Sequence, residues 1–218
     1  SAYFLLGLII EEVTGNSSES ALQNQVLIPL KMTNTGDRQN EPTKIVPDLA
    51  TGYLRQLNVF STPAYWNMST AFAAGSVYST LGDLLKYDRA LYSETFLSKK
   101  SREAMFTPGL NNYGCGWENR EVPIGHDSAM KKIHTHEGYL MAWHTRLYQI
   151  PDEQYLIVIL SNGGSAPLEK MFKGVCDILY NRQAENMKPL IAYEISKNMS
   201  SGNLDKQLEK CRTYYKTG

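Results

Sequence analysis

A histidine and a glycine two positions apart, His136 and Gly138, are the residues whose types and spacing best suit chemistry. They lie in residues 131–140, a segment that predicts a β-strand, and alternation over residues 142–149 predicts a second strand beside it. A glycine on a strand lets another molecule lie close along the backbone N–H groups. This arrangement suits acyl transfer, in which an oxyanion requires donors that are already in place.

The same strand carries another histidine, His134, on the face that His136 occupies. Such a pair can contribute to a metal site, but a site requires further ligands, and neither His126 nor His144 has suitable spacing. A metal-dependent hydrolase that uses His134 and His136 therefore stays open as an alternative. The preferred interpretation involves no metal and no cofactor.

A Ser-x-x-Lys pattern occurs at Ser128–Lys131, directly before the predicted strand. In some hydrolases a lysine activates a serine nucleophile in this way. So short a pattern also arises by chance in a chain of this composition. We interpret Ser128 as part of a polar turn that leads into the strand.

The charges of the chain cancel, with 22 Lys and Arg against 22 Asp and Glu. A nucleic-acid or membrane-surface partner calls for a basic face, so neither is predicted. The longest apolar run, residues 3–10, is too short to span a membrane. The three cysteines, Cys115, Cys176 and Cys211, form no Cys-x-x-Cys motif, and free thiols are predicted.

Apolar spacing and capping residues predict helices over about residues 3–14, 20–28, 80–91, 98–106 and 165–179. Thr80 is the predicted N-cap of the third helix and puts Asp83 near its positive end. Residues 36–67 follow no sustained period, and a loop of this length is usually functional or partly mobile. Trp66 lies near its end and could line a cleft or anchor the core.

Three blocks of sequence carry a resemblance to a known family. They are residues 1–15 with 29–35, residues 73–87, and His136–Tyr139 with Leu160–Asn162. In this order they resemble the serine hydrolases related to class C β-lactamases and D,D-peptidases, the penicillin-binding fold with a Ser-x-x-Lys nucleophile.

The resemblance implies an α+β fold, in which helices and a helical subdomain flank an antiparallel sheet. Residues 1–183 would be the C-terminal part of the catalytic domain, with the helical part over about 1–110 and the sheet and C-terminal helix over about 111–183. Residues 184–218 are predicted to form a helical extension.

The same resemblance implies roles for individual residues. His136 would line the cleft, Gly138 would let the substrate lie against the strand, and the backbone N–H of Tyr139 would be one oxyanion donor. Glu137, Trp143 and Trp66 are assigned to substrate binding, although strand alternation points Glu137 toward the opposite face.

The family's nucleophile motif lies well before the first block, and a Tyr-x-Asn motif usually comes just before a segment like residues 1–7. Both are taken as absent, so we interpret the chain as a C-terminal fragment of a hydrolase of β-lactams, D-amino-acid peptides or esters, and we expect it to be inactive alone. A non-catalytic homologue that binds peptidoglycan peptides is the other open alternative.

The resemblance also implies where and with what the protein acts. Its partner would be a small-molecule or peptide substrate, and its location would be periplasmic or extracellular. In the resembled fold, N-terminal strands pair with the C-terminal sheet. Without them a sheet edge is left unpaired, and we expect self-association through that edge.

Overall fold

The computed structural model describes residues 2–39, 46–56 and 59–180. Within these residues the helices are α1 (Ala2–Thr14), α2 (Ser18–Leu22), α3 (Leu81–Leu91), α4 (Lys99–Phe106) and α5 (Leu168–Leu179). The strands are β1 (Gly36–Asp37), β2 (Leu54–Gln56), β3 (Val59–Ser61), β4 (Val77–Tyr78), β5 (Glu118–Pro123), β6 (Met130–Leu140), β7 (Trp143–Ile150) and β8 (Tyr155–Ser161). The predicted α+β class is confirmed.

Local capping explains where the helices begin. The side chain of Thr80 accepts the N–H of Asp83 at the start of α3, and the side chain of Ser98 accepts the N–H of Ser101 at the start of α4. The helix predicted over residues 20–28 is only partly α-helical. The α-helix α2 ends at Leu22, and the chain continues as a π-helical turn, Gln23–Leu27. Among the described residues, no helix has both the length and the apolar character needed to cross a bilayer.

Four strands form an antiparallel sheet in the order β5-β6-β7-β8. Alternation along β6 separates two faces. The outer face carries Ile133, Thr135, Glu137 and Tyr139, and its core includes a close stack of Tyr148 on Phe172 of α5. The helical face carries His134, His136, Gly138 and Leu140. There Phe106 of α4 stacks on His134, and Asp88 of α3 accepts the side-chain N–H of Gln149.

The loop predicted as irregular is fixed to the end of the sheet. The indole N–H of Trp143 donates to Ala50 O over 3.0 Å, and the side chain of Asn162 donates to Thr51 O over 2.8 Å. The loop also contains the antiparallel pair β2–β3, which was not predicted from the sequence. Strands of three residues are too short for alternation to be visible in the sequence.

The chain divides into two compact units, residues 1–172 and 173–218. The described part of the second unit is residues 173–180, which complete α5 and the residue after it. The predicted helical extension over residues 184–218 lies outside the described residues and stays a prediction.

Gly7 of α1 lies against the 3₁₀ turn Phe72–Ala74, and a Cβ atom at Gly7 would come within 2.5 Å of the side chains of Phe72 and Ala73. We expect Gly7→Ala to lower the free energy of unfolding by up to about 2 kcal/mol, because overpacking costs about 1–3 kcal/mol and the gain in helix propensity offsets about 1 kcal/mol of it. Urea denaturation measures the change.

Gly82 of α3 provides the control, because a Cβ atom there would meet nothing within 4 Å. Gly82→Ala is therefore expected to leave stability unchanged or to raise it by up to about 1 kcal/mol. Equal effects of the two substitutions would contradict the steric explanation.

Candidate active-site wall

The end of β6 that carries the His-x-Gly pattern is paired along one edge. β5 pairs with Met130–Thr135, whereas β7 pairs with His134–Leu140. Among the described strands, none lies along the other edge of His136–Leu140. Backbone N–H and C=O groups on such an edge are available to an extended ligand.

His136 is exposed on the helical face, and the ring of Tyr113 meets it edge-on with 6.3 Å between centroids. Desolvation by its surroundings is the main cause that lowers the pKa of His136, and the positive charge of Arg146 lowers it further. Glu118 and Glu137 act in the opposite direction. The imidazole is therefore neutral at pH 7 and can donate one hydrogen bond and accept another.

The charge of Glu137 can be tested through the pKa of His136. Because Glu137 raises that pKa, Glu137→Gln is expected to lower it further below its ordinary value of 6.5. An NMR titration of the histidine ring measures the shift. Glu121→Gln on β5, where the carboxylate is exposed, is the control and should leave the titration of His136 in place. A rise in Glu137→Gln would contradict the assignment of charges.

Gly138 is paired with Thr145 of β7, and both residues lie on the helical face. A Cβ atom at Gly138 would lie 2.5 Å from Thr145 Oγ1, so the absence of a side chain makes room for this hydroxyl. Thr145 thus belongs to the candidate site, although the sequence analysis did not single it out. The register of β6 and β7 brings Thr145 opposite Gly138, and strand alternation alone does not specify that register.

The side chains next to Gly138 in sequence lie on the outer face. The carboxylate of Glu137 lies 2.5 Å from His144 Nε2 and 3.5 Å from Arg146 Nη1. The ring of Tyr139 lies edge-on against His144 with centroids 5.3 Å apart. The predicted orientation of Glu137 is confirmed, and it argues against the assignment of Glu137 to substrate binding. The ring of Tyr139 thus lies away from His136, and the role of its backbone N–H as an oxyanion donor stays a prediction.

Trp66 and Trp143, both predicted to contact substrate, meet in one hollow with a volume of about 260 Å³. Its walls come from the loop before α3, from the end of the sheet and from Arg38. The other lining residues are residues 49–52, residues 62–66, Met68, Leu140, Met141 and Trp143. Leu140 follows Gly138 by two residues on the same face, so the hollow begins about 7 Å along the strand. His136, Gly138 and Tyr139 do not line it.

Trp143 is also part of the structure that holds the loop in place. Its ring packs so closely on Gly52 that a Cβ atom there would lie 2.9 Å from the indole, and Arg38 lies 5.8 Å above the ring centroid. Trp66, by contrast, remains 44% exposed. One indole is therefore a fixed wall, and the other offers free surface.

His134 has structural partners. Its Nδ1 lies 2.6 Å from Asn119 Oδ1, its ring stacks on Phe106 at 4.3 Å, and burial lowers its pKa. Among the described residues, no three His, Cys, Asp or Glu side chains lie close enough together to hold a metal ion. A metal site that uses His134 and His136 would need ligands from elsewhere.

The Ser-x-x-Lys pattern forms the predicted turn. Ser128 ends a short 3₁₀ turn with φ of 62°, and Lys131 Nζ forms an ion pair with Glu153 Oε1 at 2.5 Å. The lysine is therefore paired with a carboxylate of the turn that precedes β8.

A Tyr-x-Asn pattern, which we expected to be absent, does occur at Tyr65–Asn67. It lies well after residues 1–7, not before them as in the resembled family. Asn67 Oδ1 accepts the N–H of Ser69 and caps a 3₁₀ turn, so this asparagine has a local structural role. Tyr65 is 70% exposed at the hollow.

The sheet, the flanking helices and the His-x-Gly strand are those of a β-lactamase-like serine hydrolase. A sequence model of the Beta-lactamase family matches residues 1–172. The chain therefore belongs to this family, and the resemblance seen in the sequence is confirmed.

Two relatives from Bacillus subtilis are named as penicillin-binding proteins. The chain is 35% identical over 118 residues to the putative penicillin-binding protein PbpX of Bacillus subtilis, an alignment that covers 54% of the chain and 30% of the relative. A second penicillin-binding protein of that organism is 28% identical over 179 residues, 74% of the chain and 38% of the relative. The chain thus spans about a third of the length of these relatives.

A solved structure, the octameric penicillin-binding protein homologue of Pyrococcus abyssi, has the same fold. It superposes with a TM-score of 0.69 at 26% identity, and the match covers 88% of the chain and 44% of that protein.

Proposed function

We propose that this chain forms the substrate-binding wall of a serine hydrolase that cleaves an amide or ester, such as a β-lactam, a D-amino-acid peptide or an ester, through an acyl-enzyme. The observation that carries the proposal is the open edge of His136–Leu140, with Gly138 on the face toward the helices. Membership of the Beta-lactamase family supports it.

In this proposal the substrate lies along β6 as an added strand. Gly138 leaves room for its backbone, and the N–H of Tyr139 donates to the oxygen that becomes negatively charged. Neutral His136 contributes a hydrogen bond at the cleft. The proposal assigns neither the serine nucleophile nor its lysine to a residue of this chain.

We expect the chain alone not to turn over substrate. Hydrolysis of nitrocefin and of a p-nitrophenyl ester is expected to equal that of His136→Ala, because a preset oxyanion donor without a nucleophile forms no acyl-enzyme. Turnover above that variant would overturn this part of the proposal.

Binding can be tested without catalysis. A diacetyl-Lys-D-Ala-D-Ala peptide added to ¹⁵N-labelled chain is expected to shift the amide signals of Gly138 and Tyr139 and to leave that of Glu169, beyond the outer face, in place. His136→Ala should weaken the binding, whereas the matched variant His126→Ala should not. Shifts spread evenly over both faces, or none at saturation, would contradict the proposed site.

We also propose that the protein is exported to the periplasm or the cell exterior.

We further propose that the protein associates with itself. Among the described strands, β5 and β8 are the edges of the four-stranded sheet, and β8 carries Leu156–Leu160, five apolar residues without a charge. The Pyrococcus abyssi homologue is described as octameric, which supports self-association.

Light scattering is expected to give a mass above that of one chain, rising with concentration. Leu160, which is 40% exposed on β8, provides the variant. Leu160→Lys should reduce the association, because a charge on an edge strand opposes pairing. A strictly monomeric chain at every concentration would exclude the edge-pairing proposal.

A further inference from the structure

We infer that the hollow between Trp66 and Trp143 selects acyl donors that carry a bulky apolar or aromatic side chain next to the reacting carbonyl. The inference rests on the proposed function, because it takes the reacting carbonyl to lie at Gly138 and Tyr139. It adds a substrate class to that function.

The position of the hollow fits this role. Leu140 and Trp143 are directly paired on the helical face, two residues beyond the pair Gly138 and Thr145. The distance along the strand is about 7 Å. A benzyl side chain whose carbonyl is held at Gly138 brings its ring to the edge of the hollow. A methyl side chain at the same position would end short of the indoles.

The size and the walls of the hollow fit an aromatic ring. Its volume of about 260 Å³ exceeds the cavity of about 150 Å³ that holds benzene in another protein. Trp66, Pro63, Met68 and Leu140 supply apolar surface. An indole face also favours a second ring in an offset or edge-on arrangement, which adds to the gain from burial alone.

One wall of the hollow is held in place by protein contacts, and the other exposes aromatic surface. The hydrogen bond from Trp143 to Ala50 O and the contact with Gly52 hold the inner indole before a ligand arrives. The outer wall, Trp66 and Tyr65, exposes 44% and 70% of its surface. A ligand side chain would cover this exposed aromatic surface at little cost in ordering the protein.

Two probes that differ only in the side chain test the inference: the amides of N-acetyl-D-phenylalanine and N-acetyl-D-alanine. Dissociation constants from ligand-observed NMR are expected to favour the phenylalanine probe by about tenfold or more, since even one methylene in an apolar pocket discriminates by about this factor. Trp66→Ala should reduce the preference to about twofold, and Trp66→Phe should retain most of it.

The contribution of the strand is tested at Gly138. Because a methyl group there meets Thr145 Oγ1, Gly138→Ala is combined with Thr145→Ala, and Thr145→Ala alone is the control for folding. Both probes are expected to bind the double variant more weakly than they bind the control, with the preference for phenylalanine reduced.

The results separate the inference from the function on which it rests. Equal binding of both probes that still depends on Gly138 would overturn the inference and leave the proposed function standing. A preference for phenylalanine that depends on Trp66 but not on Gly138 would overturn the position of the reacting carbonyl, and the inference with it.

Discussion

Asp83→Ala is expected to lower the free energy of unfolding by about 3 kcal/mol, because it removes a buried carboxylate with several charge-assisted hydrogen bonds. The carboxylate of Asp83 is 1% exposed. It accepts the N–H of Asn34 at 2.7 Å and the hydroxyl of Thr35 at 2.9 Å, and Lys86 Nζ lies 2.7 Å away. These contacts join α3 to the segment after α2. Urea denaturation at pH 7 measures the loss.

The pH dependence of stability gives a second readout. Burial acts to raise the pKa of Asp83, but Lys86, the N–H of Asn34 and the hydroxyl of Thr35 together hold it below its ordinary value of 3.8. A lowered folded-state pKa means that Asp83 stabilises the fold above the unfolded pKa and loses this contribution as the pH falls through the folded pKa. The difference between the protein and Asp83→Asn should therefore shrink below about pH 4.

Asp152→Asn is the control, because Asp152 is exposed on a turn and should change stability by less than about 0.5 kcal/mol. A difference for Asp83→Asn that stays constant from pH 7 to pH 2 would contradict the charged network. An equal loss in both variants would show that burial of Asp83 is unimportant.

The network around Asp83 marks the limit of what the sequence could predict. The Thr80 cap and the start of α3 were predicted correctly, because capping depends on residues three positions apart. Lys86 lies three positions along the same helix, but the other partners of Asp83, Asn34 and Thr35, lie 49 and 48 residues away. No local pattern reports a contact at such a separation, so the buried network was invisible.

The same distinction applies to the candidate site. Strand alternation and the family resemblance identified β6, its faces and the His-x-Gly pattern, since these depend on a period of two and a short motif. The meeting of Trp66 with Trp143 depends on a loop pinned by Ala50 and Thr51 to the end of the sheet. That fixation involves backbone carbonyls, which every residue has, and no residue pattern predicts it.

The ion pairs of Arg146 could not be predicted from the sequence either. We expect removal of this side chain to lower the free energy of unfolding about as much as Asp83→Ala does. Its guanidinium is 6% exposed on the outer face, 2.6 Å from Glu169 Oε1, 3.4 Å from Glu118 Oε2 and 3.5 Å from Glu137 Oε2. Arg146→Ala removes the one cation that all three carboxylates share and leaves Glu118 and Glu169 with Arg120 alone. The expected loss is about 3 kcal/mol, at the lower end for a broken buried pair because the carboxylates retain access to water.

Arg120→Ala is the matched control. Arg120 pairs with Glu118 and Glu169, but its side chain is 35% exposed, so its removal should cost about 1 kcal/mol or less. Arg146→Lys should recover part of the stability, because an ammonium restores the charge but not the planar fork that reaches several carboxylates. A loss in Arg120→Ala as large as that in Arg146→Ala would contradict the importance of burial.

Arg146 further connects the outer face to the candidate site. Its positive charge lowers the pKa of His136 through the sheet, so Arg146→Ala should raise that pKa, whereas Glu137→Gln should lower it. Opposite shifts in an NMR titration would show that charges on the outer face act through β6 on the pKa of His136, in addition to the desolvation that lowers it. Because Glu137 lies between His136 and Gly138 and binds Arg146, the same ion pairs also fix the strand that a substrate would meet. Shifts in the same direction in both variants would mean that the ring responds to a change of structure instead of a change of charge.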